Sequence, residues 1–231
     1  MSRQAREAVA ISVHAPCELE LMPERAVWWP ERRAVFVSDL HLGKGATFRS
    51  AGACLPVDGD EEQLSRLSGL VERLAAERLI VLGDLVHAPA GVTAELLERV
   101  TRWRASLGIE VSLVPGNHDR HAPRLAEAWD INLLPTSERL GGLELVHDPE
   151  EASGDAFFLA GHVHPVVCFR GGGDALRLPC FVEYGPSAGS PGGIILPAFS
   201  RFTGGAAINR RSDGGAPRVL HAIADDRVEP V

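Results

Sequence analysis

Short apolar runs and helix-periodic stretches alternate through the first 130 residues. Residues 34–37 and 79–82 are continuously apolar and residues 111–114 nearly so, which is typical of strands buried on both faces. Between these runs, apolar side chains recur every three or four positions over residues 60–75 and 93–107, the spacing of amphipathic helices. The pattern therefore predicts two successive strand–helix–strand units, which form parallel, right-handed connections.

Strands dominate the predicted structure on either side of these units, so the expected class is α/β. Apolar or alternating runs predict further strands at residues 8–14, 17–21, 25–29, 131–134, 140–147, 156–160, 166–170, 176–181, 194–196 and 219–223. Glycine-rich or proline-rich composition predicts loops at residues 42–59, 185–193 and 210–217, and a short helix is predicted at residues 123–129. The tryptophans Trp28 and Trp29 suit a core, a sheet edge or a self-association patch.

Five polar fragments each follow one of the apolar runs. They are Asp39-Leu40-His41, Gly83-Asp84, Gly116-Asn117-His118-Asp119, His147 and Gly161-His162-Val163-His164. Strands of one sheet can deliver such fragments to one end of that sheet, so we expect these side chains to meet there. Carboxylate, amide and imidazole groups are the donors that a pair of divalent metal ions needs.

A dinuclear hydrolytic centre needs a bridging ligand and two sets of further donors. Asp84, alone at a strand end, is the predicted bridge. The predicted donors to one ion are Asp39, His41 and His164, and those to the other are Asn117, His147 and His162. The pairs two residues apart suit this arrangement, because alternate residues of an extended chain project to the same side. Without a nearby thiolate, the donors favour Mn²⁺, Fe, Zn²⁺ or Co²⁺.

The same fragments suggest how phosphoester hydrolysis could proceed. Hydroxide held between the two ions would attack phosphorus in line with the leaving oxygen. His118, next to the predicted ligand Asn117, is the candidate donor of a proton to that oxygen, and Asp119 is the candidate to orient His118.

Four further polar residues are candidates for contact with substrate phosphate. They are Lys44, Arg49, His87 and Arg120, and each has the alternative of a solvated residue without a catalytic role.

Composition sets limits on these interpretations. The 231 residues are 45% hydrophobic and 23% charged, as in a globular protein, and we expect one domain over residues 1–231. Neither a signal sequence nor a membrane-spanning segment is predicted, so the expected location is the cytoplasm. Four cysteines without a C-x-x-C spacing argue against a zinc ribbon or a redox motif. The net charge of −8 disfavours non-specific polyanion binding and favours a small substrate.

The five fragments, in this order, resemble the motif series of calcineurin-like metallophosphoesterases over residues 39–164. The resemblance implies a four-layer α/β/β/α sandwich of two mixed sheets flanked by helices, with a dinuclear metal site at the carboxyl ends of strands. It implies the same ligands and an active enzyme. Some members of such families keep the fold as interaction modules without metals, but the complete set of donors argues against that alternative.

Further blocks resemble the bacterial ligase-associated DNA damage response endonuclease branch. They are residues 39–49, 83–89, 177–181, 196–199 and 202–205. This resemblance implies Mn²⁺-dependent hydrolysis of phosphodiester bonds, with DNA as substrate during repair and a functional link to a DNA ligase and a helicase. Residues 185–193 depart from the branch as an insertion. The alternative function is a small-molecule phosphoesterase that acts on nucleotides or other phosphate esters.

Overall fold

The computed structural model of the chain describes residues 10–53, 59–119, 121–187, 191–210 and 218–231. Two mixed β-sheets lie face to face. The first has seven strands in sequential order: β1 (Ile11–His14), β2 (Glu18–Met22), β3 (Ala26–Trp29), β4 (Ala34–Val37), β5 (Arg78–Leu82), β6 (Glu110–Val114) and β7 (Asn132–Leu133). Its first four strands pair antiparallel, whereas β4 to β7 pair parallel.

The second sheet is built from the remaining strands. They are β8 (Ser137–Leu140), β9 (Leu143–Val146), β10 (Phe157–Ala160), β11 (Pro165–Gly171), β12 (Asp174–Tyr184), β13 (Gly193–Ile195), β14 (Ala206–Ala207), β15 (Arg218–Ala224) and β16 (Arg227–Pro230). In space the order is β14-β11-β12-β13-β10-β9-β8, with β15 also paired to β12 and β16 to β15. The strands β9, β10 and β13 pair parallel, so the carboxyl ends of β9 and β10 lie on one edge.

Strand alternation explains how one sheet serves two cores. In β4, Val35 and Val37 pack toward the helices, whereas Ala34 and Phe36 pack toward the second sheet. The same alternation separates Trp28 from Trp29, which are buried in the two different cores. Both tryptophans are therefore core residues, and the alternatives of a sheet edge or a self-association patch are wrong.

Four α-helices are described: α1 (Lys44–Ser50), α2 (Gly59–Leu74), α3 (Ala94–Leu107) and α4 (Ala122–Ala128). The predicted caps of α3 are confirmed, since the Thr93 hydroxyl accepts from the Leu96 N–H at 3.2 Å and Gly108 is left-handed. None of the helices in the described ranges is long and apolar enough to cross a membrane.

The predicted fold of two mixed sheets flanked by helices is confirmed. The segments that cover the outer face of the second sheet differ from the helices that cover the first. The apolar faces of α2, α3 and α4 all pack on the first sheet. On the outer face of the second sheet, Val182 and Ile195 pack instead against Ile208, which lies in a short 3-10 turn.

Helix α1 corrects the prediction that residues 42–59 form one long loop. None of its side chains is fully buried, so no apolar stripe marks it in the sequence. It is specified by contacts with a distant segment. Gly43, left-handed at the helix start, lies so close to Gly91 that a β-carbon would stand 2.4 Å from the Gly91 carbonyl oxygen.

Candidate metal centre

The five polar fragments meet at one end of the sandwich, but they come from two sheets. The loops after β4, β5 and β6 supply three fragments, and the loops after β9 and β10 of the other sheet supply two. Within each sheet a backbone bond joins neighbouring loops: the His41 N–H donates to the Asp84 carbonyl oxygen at 2.8 Å, and the Gly161 N–H to the His147 carbonyl oxygen at 3.0 Å. The expectation of a single sheet is therefore wrong, and the site spans the interface between the sheets.

Five of the predicted ligands have left-handed backbone conformations. The φ angles are 55° for Asp39, 49° for His41, 52° for Asp84, 65° for His162 and 49° for His164. Such conformations cost L residues on the order of 1–3 kcal/mol each and concentrate at functional sites. The prediction that Asp39 and His41, or His162 and His164, alternate along extended chain is wrong, because the sharp turns that leave each strand bring these side chains inward.

Glycines of three fragments make room for ligand-type side chains. A β-carbon at Gly83 would lie 2.1 Å from Nδ1 of His147, and one at Gly116 would lie 2.4 Å from Oδ1 of Asp84. A β-carbon at Gly161 would lie 2.7 Å from Oδ2 of Asp39. These glycines are therefore required by close packing around the site and not only by backbone freedom.

One group of donors consists of Asp39, His41 and His164, whose ligand atoms lie within 4.8 Å of one another. Nε2 of His164 is 3.0 Å from Oδ1 of Asp39 and 3.3 Å from Nε2 of His41. Asp39 and His41 are buried and His164 is half-buried. Two imidazole nitrogens and a carboxylate that face one inner point are a suitable set of donors for a divalent cation.

A second set surrounds His147. Its Nδ1 lies 2.9 Å from the Leu82 carbonyl oxygen, so Nδ1 carries the proton and Nε2 presents a lone pair. That Nε2 is 3.0 Å from Oδ1 of Asn117 and 3.2 Å from Nδ1 of His162. Electron-pair donors that converge in this way fit a metal ion.

Asp84 and Asp39 lie between the two sets. Oδ1 of Asp84 is 3.5 Å from Nε2 of His147, and Oδ2 of Asp84 is 3.9 Å from Nε2 of His41. Asp39 also comes within 4.8 Å of the ligand atoms of Asp84 and His147. Both carboxylates can therefore reach either position, whereas the sequence suggested only Asp84 for that role.

The electrostatics of the buried side chains suit cation binding. Burial, together with the charges of His164 and Lys44 and against that of Asp39, lowers the pKa of His41 to about 3. This imidazole is therefore neutral and can act as a ligand. Burial raises the pKa of Asp39, but the hydrogen bond and charge of His164, with smaller contributions from neighbouring imidazoles, outweigh that effect and leave the pKa below its usual value. The carboxylate is therefore ionised at neutral pH.

His118 has a different orienting partner from the one the sequence suggested. Its Nδ1 is 2.8 Å from the carbonyl oxygen of His87, and its Nε2 is 3.9 Å from Oδ2 of Asp84. The Asp119 carboxylate instead accepts from the backbone N–H groups of Gly116, Leu85 and Val86. Asp119 thus connects the loops after β5 and β6, and its expected role as the orienter of His118 is corrected.

Asp119 is buried among these backbone donors. Burial raises its pKa, and the nearby Asp84 raises it as well, while the three N–H bonds oppose the increase. Its carboxylate stabilises the turn that carries Asn117 and His118, which is a structural contribution to the site.

An aromatic rim extends outward from His118. The ring of His87 stacks on that of His118 with centroids 5.5 Å apart, and Phe48 stacks on His87 at 5.9 Å. Phe202 meets Phe48 edge to face, and the Lys44 ammonium lies 5.6 Å from the Phe202 ring centroid. The sequence identified His87 and Lys44 but missed both phenylalanines, because residues 48 and 202 are far apart and neither belongs to an apolar run.

The other two candidates for phosphate contact are Arg49 and Arg120. Arg49 lies on α1, and its charge acts on Asp60. Burial raises the pKa of Asp60, and the positive charge of Arg49 partly opposes that increase. Arg120 lies outside the described residues, as does Cys54. The described cysteines Cys17, Cys168 and Cys180 are free thiols and belong to neither donor group.

The chain is similar to known proteins in sequence and in structure. Residues 32–186 match the sequence profile of the family described as Calcineurin-like phosphoesterase. No curated protein sequence matches the chain. Among solved structures, the nuclease MPE of Pseudomonas putida is 34% identical, with a TM-score of 0.77, and the match covers 96% of this chain and 100% of that one.

Two more distant structures are similar at lower identity. The phosphoesterase Yfce of E. coli is 17% identical with a TM-score of 0.40, and the match covers 83% of this chain and 88% of that one. A Vps29 mutant of Entamoeba histolytica is 15% identical with a TM-score of 0.37, covering 86% and 96% respectively.

Proposed function

The chain belongs to the calcineurin-like phosphoesterase family, a family of metal-dependent hydrolases, and on this premise we propose that it hydrolyses phosphodiester bonds in DNA. The observation that carries the proposal is the convergence of seven ligand-type side chains in a chain that is 34% identical to a nuclease over 96% of its length. The same coverage supports a single domain over residues 1–231.

Two divalent ions are the proposed cofactors. The donors include nitrogen and oxygen but no thiolate, which supports Mn²⁺, with Fe or Zn²⁺ as alternatives. We propose Asp39, His41 and His164 as ligands of one ion and Asn117, His147 and His162 as ligands of the other. Asp84 is the proposed bridge, since its two carboxylate oxygens face the two sets. The chemistry that such ions supply is polarisation of the phosphoryl group and activation of water.

The proton that the leaving oxygen needs would come from His118. Its Nδ1 faces the His87 carbonyl oxygen, so a protonated ring holds its second proton on Nε2, on the side of Asp84. His118 is 40% exposed in its side chain, and a large substrate can therefore reach it.

DNA is the proposed substrate because the rim is open and aromatic. The exposed fractions are 40% for Phe48, which stacks on His87, and 47% for Phe202, which meets Phe48 edge to face. Exposed aromatic faces stack on nucleobases, an interaction worth about 1–3 kcal/mol per base. The net charge of −8 favours the alternative of a nucleotide or another small phosphate ester.

A cellular role in DNA repair, in functional association with a DNA ligase and a helicase, follows from the sequence resemblance and is part of the proposal. It would place the protein in the cytoplasm, where bacterial DNA lies.

The decisive test of the substrate is a comparison of turnover in Mn²⁺. Closed circular single-stranded DNA, nicked duplex DNA and a panel of nucleotides should be supplied side by side. We expect the largest kcat/KM with DNA, and the circular substrate reports directly whether cleavage is internal. A higher kcat/KM with a nucleotide, or no DNA cleavage with any divalent metal, would reject DNA as substrate.

Replacement of Gly116 by alanine is predicted to weaken metal binding about 10- to 100-fold. The new β-carbon would lie 2.4 Å from Oδ1 of Asp84, so the proposed bridging carboxylate must move. Metal affinity can be measured by titration of the metal-free protein with Mn²⁺. The matched control is Gly69→Ala on α2, where a β-carbon meets nothing within 4 Å. Equal affinities in the two variants would contradict the prediction.

A further inference from the structure

A cavity of about 190 Å³ opens beside the proposed ligand His164. Three arginines line it: Arg25 from the turn after β2, Arg177 from β12, and Arg201 from the segment after β13. None of the described residues that line this cavity carries a carboxylate. We call the three side chains the arginine pocket. In a chain with a net charge of −8, three positive charges at one opening contrast with the average surface.

Two of the arginines are held by backbone carbonyls and not by acids. Nη1 of Arg25 donates to the carbonyl oxygens of Ala198 and Ser200 at 3.1 and 2.8 Å. Nη2 of Arg177 donates to those of Gly204 and Gly205 at 2.7 and 3.0 Å. In the described part of the chain, neither guanidinium is within ion-pair distance of a carboxylate, and each uses one of its three nitrogens in these bonds.

Arg201 completes the pocket in a different way. Its Nη1 lies 3.0 Å from Oε1 of Glu62, and its side chain is 64% exposed. Burial and, to a smaller extent, the charge of Arg201 lower the pKa of Arg25 to about 10, while Glu62 opposes them. An anion in the cavity would relieve this repulsion.

The arginine pocket adjoins the metal centre through shared residues. His164 lines the cavity, and its Nε2 faces Asp39 on the other side. The Ser200 N–H also donates to the Asp39 carbonyl oxygen at 3.3 Å, and the Ser200 carbonyl oxygen accepts from Arg25. A substrate that places its reacting phosphate at the metal centre therefore has the pocket within reach of its next anionic group.

We propose that the arginine pocket binds the phosphate that neighbours the scissile phosphodiester in a nucleotide chain. Guanidinium groups suit this task because their planar N–H donors match phosphate oxygens. The inference rests on the proposed phosphodiesterase function and deepens it, since it makes a second phosphate a determinant of specificity. The competing explanation is that the arginines only anchor residues 197–205.

The test uses chromogenic substrates that differ by one phosphate. Thymidine 5′-(p-nitrophenyl phosphate) is compared with the same ester that also carries a 3′-phosphate, and the isomeric 3′-ester is compared with and without a 5′-phosphate. In one of these pairs, we expect the added phosphate to raise kcat/KM about tenfold or more with the Mn²⁺ enzyme. Without such a gain in either pair the inference is overturned, even if DNA is cleaved.

Two variants separate recognition from anchoring. Among the described residues, Arg201 donates to no backbone carbonyl, whereas Arg177 donates to two, so Arg177→Gln removes backbone contacts and Arg201→Gln does not. Both should bring the ratio of kcat/KM within the responsive pair close to one. The matched control is Arg102→Gln, which changes an exposed arginine on α3 and should keep the wild-type ratio. A wild-type ratio in both pocket variants would assign the arginines to anchoring alone and overturn the inference.

A binding measurement gives a readout that does not depend on turnover. Calorimetric titration of the Mn²⁺ enzyme should show thymidine 3′,5′-bisphosphate binding about tenfold more tightly than either monophosphate, with the difference lost in Arg201→Gln. Equal affinities in the wild type would refute the pocket. Failure of the proposed DNA substrate would appear separately, as absent DNA cleavage by an enzyme that still hydrolyses the aryl esters.

Discussion

Replacement of Asp84 by asparagine is expected to lower kcat for phosphodiester hydrolysis by at least about 10³-fold, the largest effect of any single change in this chain. The substitution keeps the shape of the side chain but removes its charge. Oδ1 of Asp84 also accepts from the His118 N–H at 3.0 Å, and an asparagine oxygen can retain that bond. The loss would therefore arise from the metal centre and not from a collapsed loop.

The expected cause is loss of metal. After dialysis against Mn²⁺, the variant should contain fewer than two equivalents, whereas Asp225→Asn, in the exposed turn between β15 and β16, should match the wild type. Activity on bis(p-nitrophenyl) phosphate should follow metal content. A variant that retained both ions and more than about a tenth of the wild-type rate would show that Asp84 is not the essential bridge. Asp39, which reaches both donor sets, would then be the next candidate.

The elements that position the centre could be predicted from the sequence because their signal is local. The strands β4, β5 and β6 are buried on both faces, so each is an apolar run that ends abruptly in polar residues. The predicted meeting of Asp39 and Asp84 follows from strand direction, since the parallel neighbours β4 and β5 end on one edge of the first sheet. His147 joins them from β9 of the second sheet, and this division of the site between two sheets was not predicted.

Other features could not be predicted because they depend on contacts between distant segments. Helix α1 has no fully buried side chain and is specified by the approach of Gly43 to Gly91, a contact without periodicity. The carbonyl oxygen that orients His118 belongs to His87, and a backbone atom leaves no mark in the sequence. The role expected for Asp119 was wrong for a similar reason, since its carboxylate accepts hydrogen bonds from backbone N–H groups, which the sequence does not mark.

The arginine pocket shows the same limit at longer range. Arg25 and the carbonyl of Ser200 that it binds are 175 residues apart. Arginine is the common basic residue of this chain, so no single position stands out by its type. Only the fold brings these charges together, and it places them beside the proposed metal centre.

His118→Gln is expected to give the second largest effect, and the effect should depend on the leaving group. A general acid contributes about 10²- to 10⁴-fold when the departing oxygen needs a proton. The sugar oxygen of DNA needs one, whereas p-nitrophenolate leaves without it. The variant should therefore lose about 10²-fold or more in kcat on DNA but far less on bis(p-nitrophenyl) phosphate.

The comparison between substrates separates acid catalysis from a structural role. His118 is not a proposed metal ligand, so metal content should be unchanged in the variant, and the matched control is His121→Gln, an exposed histidine at the start of α4. The Nδ1 contact with the His87 carbonyl oxygen requires a protonated Nδ1, and glutamine can replace that donor but cannot supply a second, acidic proton. An equal loss on both substrates would mean that His118 acts through binding or site geometry, and the proton would then need another source.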